Sequence, residues 1–522
     1  MTSIRTNFHH LLAQAAAAAP NAPALTYRDT TLNYAQTWRM SRAAASQLLD
    51  IGLMRGDRVA VYLEKRLETV ASFFAVSAAG GVFVPINHVL KATQVGHILN
   101  DSGAGLLITS ADRLAQLALV IPNTAVAHVI IVGDPVPDPA ASWQTHSWAG
   151  DQATAAAPDR PPAIDIDPAA ILYTSGSTGK PKGVVLSHRN LIVGAESVSS
   201  YLGNTRDDVI LSVLPLSFDA GLSQVTTAFS VGAHCVLMNY LLPREVPKLC
   251  ERHGVTGLTC VPPLWLQLAD VPWPDGAARR LRYWANTGGK MPRATLDRLR
   301  GIFTEADPFL MYGLTEAFRS TYLDPAEVDR RPGSIGKAIP NAEILVLRPD
   351  GTACQPGEEG ELVHRGALVA LGYWDDPIRT AEHFRPLLHP GQEWRAPETA
   401  VWSGDTVVAD REGFLYFVGR KDEMIKTSGY RVSPSEIEEA AYNTGLVRDA
   451  VAIGVEDEAL GQRIVLVATP TAVELDVDAL TAALKQILPL YMVPSRIDVR
   501  DELHRSPNGK YDRTLLALEV SG

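Results

Sequence analysis

An α/β fold, with a large N-terminal region and a smaller C-terminal one, is what this sequence predicts. Three observations carry the prediction. Short apolar strand-like runs alternate with helical stretches through the first half. From about residue 333 the texture changes to short strands split by glycine turns, and after "GFLYFVGRKDEMIK" the strand–helix alternation resumes in a unit of about a hundred residues.

The opening "MTSIRTNFHHLLAQAAAAAP" has an alanine-rich helical pattern, but His9, His10 and Gln14 interrupt it and make it a poor secretory signal. "DRVAVYLE" (57–64) is a β-rich run, followed by the helix-like "TVASFFAVSAAGG" and then "VFVPI" (82–86). "GLLITS", "HVIIVG" and "VILSVLP" repeat the theme, which implies βαβ units and mostly parallel sheets covered on both faces. Residues 138–168, rich in Ala, Pro and Asp, read as a surface connection. In "AEILVLRPDGTACQPGEEGELVHRG" the "PDG" and "PGEEG" turns separate alternating runs, so a β-barrel-like subdomain is expected. "SPSEIEEAAYNTG" marks a helix with Ser433 or Ser435 as cap, Pro434 at its start and Gly445 past its end. No internal repeat is found.

At 522 residues, with 46% apolar and 20% charged residues, the chain is an ordinary globular protein of two or more domains. Its net charge of −11 argues against a nucleic-acid binder. Cys235, Cys250, Cys260 and Cys354 have no metal-ligand or disulfide spacing and read as small buried hydrophobes in a reducing compartment. No run of ~20 uninterrupted apolar residues occurs, so no membrane insertion is expected and a cytoplasmic location is.

The stretch "LYTSGSTGKPKG" (172–183) brings glycines, hydroxyls and lysines together, a composition suited to phosphate. It is not a Walker loop: Gly176 and Gly179 are only three apart, and Pro181 follows Lys180 where a backbone N–H is wanted. A P-loop phosphotransferase is therefore disfavoured. The loop lies between the apolar "AAILY" and "GVVLSHRNL", a strand running toward a helix, so it is held by ordered elements rather than free as a linker.

This loop resembles the phosphate-loop signature of the AMP-forming adenylating enzymes: acyl-CoA synthetases, adenylation domains of peptide synthetases and firefly-type luciferases. Further signatures follow in the family's order, and the similarity covers nearly the whole chain. The resemblance implies an N-terminal domain (1–419) of two βαβ-type subdomains plus the β-barrel-like one, a hinge (420–423) pivoting at Asp422, and a small mobile α+β C-terminal domain (424–522). It implies ATP and Mg²⁺ as cofactors, with Thr174, Ser175, Ser177, Thr178 and Lys182 clamping the phosphates.

In "MYGLTEAFRS" (311–320), Tyr312 and Gly313 match the segment that stacks on adenine, Thr315 the phosphate-binding hydroxyl and Glu316 the Mg²⁺ carboxylate. "NTGGKMP" (286–292) matches the segment lying along adenine through Gly288 and Gly289. In 402–434, Asp405 matches the carboxylate that takes the ribose hydroxyls and Arg420 a ribose or phosphate contact. Lys426 and Arg431 approach the nucleotide in one domain orientation or the other, and Gly429 lines the pantetheine tunnel. Lys510 in "RSPNGKYDR" matches the lysine placed between the substrate carboxylate and the α-phosphate; Lys510, Glu316 and Thr315 are the expected catalytic residues.

The substrate segment "LPLSFDAGLSQ" (214–224) resembles the amino-acid-activating branch, where the aspartate, here Asp219, pairs with the substrate's α-ammonium. By the same match Ala220, Ser223, Cys260, Ala285, Thr287, Met311, Arg319 and Ser320 wall the pocket. Arg319 is unusual there: it meets an acidic or polar substrate tail, turns outward, or pairs internally. "LMNYLLPREV" and "VPPLWLQLAD" also resemble the exosortase A system-associated AMP-forming acyl-CoA ligases. The expectation is thus adenylation of a carboxylic acid, favouring an amino acid or amino-acid-like acid. Transfer then goes to the pantetheine thiol of CoA or of a separate carrier protein. Alternatives are a non-amino fatty or aryl acid, a luciferase-like oxidase, and a non-catalytic nucleotide-binding homologue, which would be expected to lack Glu316 or Lys510.

Overall fold

The structure, a computed structural model, describes residues 4–134, 142–150, 163–174, 181–387, 391, 394–420, 423–427, 430–457, 460–471 and 473–521. Two large sheets form the N-terminal domain. In the nine-stranded sheet, Pro23–Tyr27, His234–Leu237, Val209–Ser212, Gly257–Cys260, Tyr283–Asn286 and Asp307–Tyr312 lie side by side in parallel. In the eight-stranded sheet, Pro168–Thr174, Val82–Pro85, Arg58–Tyr62, Leu106–Thr109, His128–Ile131 and Gln144–Ser147 do the same. Val82–Pro85 and Leu106–Thr109 are buried at every position, as strands covered on both faces must be.

Two helices join these sheets into one core. Leu67–Ala78 and Asp219–Val231 are buried almost all round, the pattern of a helix packed from both sides. Their apolar residues share a cluster with Val59 and Ile108 of one sheet and Leu25, Ile210 and Cys235 of the other. Asp219 is the first residue of the second helix, so a carboxylate is carried into the interior by an otherwise apolar element.

A five-stranded antiparallel sheet built from Ala342–Leu347, Glu359–Gly366, Phe384–Leu387, Glu398–Ala409 and Leu415–Arg420 is the β-rich subdomain. The C-terminal domain has its own five-stranded sheet. Along its strand Val447–Asp457, Ala450 and Ala452 join one apolar cluster while Val451, Ile453 and Val455 join another, so period-two alternation buries both faces.

Four expectations need correction. Residues 138–168 are not purely a connection, because Gln144–Ser147 pairs with His128–Ile131 at the sheet edge. Its polar "QTHS" is held by backbone hydrogen bonds rather than burial, so no apolar signal marks it. The C-terminal sheet is mainly antiparallel, since only three residues join Val447–Asp457 to Gly461–Pro470, too few for a crossover helix. Ser433 occupies the cap position of the helix Pro434–Asn443, but its hydroxyl makes no capping bond and is buried without a partner; Pro434 and Gly445 fall where expected. Cys354 is half-buried; Cys235, Cys250 and Cys260 are buried, and burial pushes the Cys235 and Cys250 thiols up to about 12. Among the described residues no helix is long and apolar enough to cross a membrane.

Candidate active site

The strands flanking the glycine-rich loop are antiparallel, which sets Thr174 directly opposite Lys182. The Lys182 ammonium donates to the Tyr373 hydroxyl at 2.7 Å and lies 3.1 Å from Glu316 Oε1. Tyr373 donates in turn to the same carboxylate oxygen at 2.7 Å. Burial opposes the Glu316 charge, yet Lys182 and the Tyr373 hydroxyl together hold its carboxyl below the usual range. The site therefore keeps an ionised oxygen donor beside a cation and a phenol.

Thr315 and Glu316 sit on the single turn Thr315–Ala317 after the strand Asp307–Tyr312. The chain then reverses through Phe318, whose φ of +55° is costly for a bulky residue. Gly194 makes room for its ring: a Cβ there would lie 2.5 Å from Phe318 Cδ1. The reversal lets Ser320 N–H donate to the Tyr312 carbonyl at 3.1 Å, bringing Arg319 against Gly313.

Beside this turn Tyr312 donates its hydroxyl to Asp405 Oδ2, and Arg420 Nε lies 3.6 Å from Asp405 Oδ1. Gly288 has φ +77°, and Gly289's carbonyl accepts from Asn286 Nδ2 at 2.9 Å. Directly over Gly288 lies the Lys510 side chain: a Cβ on Gly288 would meet Lys510 Cε at 2.9 Å. Lys510 rides on a turn in which Gly509 N–H donates to the Ser506 carbonyl at 2.8 Å, with Pro507 and Gly509 at the positions such a turn favours. Asn87 Nδ2 holds the turn through the Pro507 carbonyl at 2.9 Å, and Lys290 pairs with Glu439 across the same domain junction. Burial lowers the Lys510 pKa, opposed chiefly by the nearby Asp219 carboxylate.

Asp219 is 3% exposed; its Oδ1 accepts from the Ala220 N–H at 2.7 Å, and among the described residues it makes no ion pair. Burial raises its pKa, against the opposing pull of Arg319 and Lys510. Arg319 is 2% exposed and donates to Thr287 Oγ1 at 2.7 Å. Met311 accepts from the Tyr201 hydroxyl at 2.9 Å, and Ala220, Ser223, Cys260 and Ala285 are all buried. The hydroxyl of Ser320, another residue expected in the wall, is engaged with His364 Nδ1 at 2.9 Å. Ser175, Ser177, Thr178, Asp422 and Gly429 lie outside the described residues, as do the side chains of Lys426 and Arg431.

The loop that sets Asp219 is close-packed. Lys65, fully buried, donates to the Ser212 and Leu214 carbonyls, each at 2.8 Å, and burial brings its pKa down to about 7. A Cβ on Gly221 would lie 1.9 Å from the Pro215 carbonyl oxygen. Gly221→Ala should therefore cost about 1–3 kcal/mol of stability, the usual penalty for overpacking. A fall in denaturation midpoint at unchanged m-value would show it, and an unchanged midpoint would contradict this packing.

Sequence comparison identifies the fold that carries these groups. Residues 12–374 match the model of the AMP-binding enzyme, and 436–510 that of the AMP-binding enzyme C-terminal domain. The chain belongs to the AMP-binding enzyme family. It is an AMP-forming, ATP-dependent acid–thiol ligase. The L-proline–[L-prolyl-carrier protein] ligase of Streptomyces coelicolor is 33% identical over 509 residues, covering 94% of this chain and 92% of that protein. A long-chain-fatty-acid–CoA ligase of Salmonella typhimurium is 29% identical over 550 aligned positions, covering 98% and 94%. The o-succinylbenzoate coenzyme A synthetase of Bacillus subtilis, solved with ATP and a magnesium ion, superposes with a TM-score of 0.81 at 27% identity, covering 98% and 99%.

Within this AMP-binding enzyme the structure adds residues that sequence reading passed over. Tyr373 lies 57 positions beyond Glu316 and reaches it only because Gly372–Tyr373 pairs with Lys182–Ser187. Lys65, Asn87 and Tyr201 likewise join the site through tertiary packing. The "IN" that ends a buried strand run at Asn87 is the nearest thing to a signal, a polar residue at the strand's carboxyl end.

Proposed function

We propose that this ligase activates an amino acid or amino-acid-like acid and passes the acyl group to a pantetheine thiol of CoA or of a separate carrier protein. The observation that carries the reading is Asp219, a buried carboxylate that makes no direct ion pair among the described residues, held at a helix start near Lys510. An unpaired buried charge is expensive, so such a group calls for a cation from the ligand, and an α-ammonium supplies one.

In this reading the acid's carboxylate lies against Lys510 and attacks the α-phosphorus of ATP, releasing pyrophosphate. Lys510 offsets the negative charge that accumulates there, and Thr174, Thr315 and Lys182 face the phosphates, with Ser175, Ser177 and Thr178 expected alongside. Gly288 and Gly289 let adenine lie against the backbone beside Tyr312 and Gly313. Asp405, with Arg420 and Arg431, takes the ribose and phosphate. Glu316 fits Mg²⁺, being ionised and oxygen-only. Among the described residues no three His, Cys, Asp or Glu side chains cluster as a metal cage, so an ion here would share its coordination with phosphates and water. A bound Mg²⁺ would supply charge neutralisation at the phosphates. Thioester formation then follows a rotation of the C-terminal domain (424–522) away from 1–419 about 420–423 at Asp422, which withdraws Lys510 and opens a path past Gly429.

ATP–pyrophosphate exchange over amino acids and matched non-amino acids tests the reading. Amino acids should dominate in the wild type, and Asp219→Asn should raise their KM far more than it lowers kcat. Because the Asp219 pKa is raised and recognition needs the ionised form, KM should climb as pH falls through that pKa. Exchange supported only by unsubstituted fatty acids would overturn the assignment.

A further inference from the structure

Arg319 is a buried cation. Among the described residues its guanidinium makes one side-chain hydrogen bond, to the neutral Thr287 hydroxyl, and no ion pair, and its buried Nε–H has no acceptor. At 2% exposure it cannot borrow water freely, and a buried charge missing its partner costs several kcal/mol. Asp219 feels Arg319 electrostatically but, among the described residues, is not ion-paired to it.

Among the described residues, Lys510, Asp219 and Arg319 act on one another electrostatically. If Lys510 faces the reacting carboxylate and Asp219 the α-ammonium, a neutral amino acid leaves Arg319 unmatched. We propose that the activated acid carries a second carboxylate, received by Arg319, and is a four- or five-carbon α-amino dicarboxylic acid. This deepens the amino-acid assignment above and rests on it for the ammonium alone.

Length follows from the wall. Lys510 lies over Gly288, and Thr287, which holds Arg319, is the next residue. Two residues further back, about 6.6 Å along the strand, Ala285 is enclosed with Val198, Leu202, Tyr283, Phe309 and Met311. Tyr201 packs there, bonded to Met311 and stacked on Tyr322 at 4.2 Å. Arg319, held at Thr287 beside the glycine under Lys510, thus lies near Lys510, and that closeness suits a short acid.

The test is a factorial panel in ATP–pyrophosphate exchange with the full-length wild-type protein. Glutamate, norvaline, glutarate and pentanoate share five carbons and differ only in ammonium and distal carboxylate. Aspartate, 2-aminobutyrate, succinate and butyrate repeat the design at four, with both enantiomers of each amino acid. Glutamate or aspartate should exceed its neutral counterpart by at least ~10²-fold, since a site built for a polar group strongly rejects the analogue lacking it. Neutral amino acids matching or exceeding the dicarboxylic ones overturn the Arg319 assignment while leaving Asp219 intact. Glutarate or succinate exceeding glutamate and aspartate uphold Arg319 and sink the ammonium role of Asp219. No exchange with any dicarboxylic acid also overturns the proposal, because the closeness of Arg319 to Lys510 calls for an acid of this size. Arg319→Leu should reverse the preference toward norvaline or 2-aminobutyrate, and Arg319→Lys should restore part of it; the wild-type panel decides even if either variant folds poorly.

Discussion

Lys510→Ala should lose adenylate formation by about 10²–10³-fold while thioester formation from a supplied acyl-adenylate survives. The asymmetry follows from where the ammonium sits: over Gly288, near Asp219 and Asp405, on a turn contributed by the C-terminal domain. In the proposed mechanism a single compact positive charge aimed at a phosphorus that gathers negative charge acts in the transition state of the first half-reaction. In that mechanism the second half-reaction needs the lysine out of the way. Wild-type adenylation should also fail on the alkaline side at a pH below that of free lysine, because burial lowers the Lys510 pKa and only its protonated form is useful. The alanine variant should lack that alkaline limb. Pyrophosphate exchange and thioester release measured separately decide the matter, and equal loss of both would remove Lys510 from its role.

Glu316→Gln should reduce adenylation by a comparable factor and raise the Mg²⁺ concentration needed for half-maximal rate. The substitution keeps shape and removes charge, leaving Lys182 without the carboxylate 3.1 Å away and Tyr373 with a weaker acceptor. Loss of one partner from a buried charge pair is the costly case, since the survivor stays desolvated. The folded-state pKa of Glu316 is depressed, so its stabilising contribution is present above the ordinary carboxylate pKa and disappears as pH falls through the lowered value. The stability gap between wild type and variant should therefore narrow in acid. A Mg²⁺ titration and denaturation at two pH values test both halves; an unchanged Mg²⁺ requirement would detach Glu316 from the metal.

Much of the architecture was legible because its signals are local. Continuous apolar runs such as "VFVP" and "LLIT" mark strands buried on both faces, and "PDG" marks a turn whatever lies around it. The phosphate loop, the "TE" turn and the terminal lysine could be found because each is a contiguous stretch. The strand Gln144–Ser147 could not, since its four polar residues are placed by a neighbour's backbone. The bond of the Ser320 hydroxyl to the buried His364, set by a chain reversal at Phe318, was equally out of reach of the sequence.

By itself the sequence determined the order of elements, candidate residues for ATP and magnesium, and a carboxylate at the head of an apolar helix. It could do so because those features depend on neighbours along the chain. Only the tertiary structure decided that Tyr373 joins Lys182 and Glu316, that Lys510 rests over Gly288, and that Arg319 is buried with no ion pair among the described residues. Whether a charge is matched depends on what surrounds it in space once water is excluded, and residues far apart in the chain supply those surroundings.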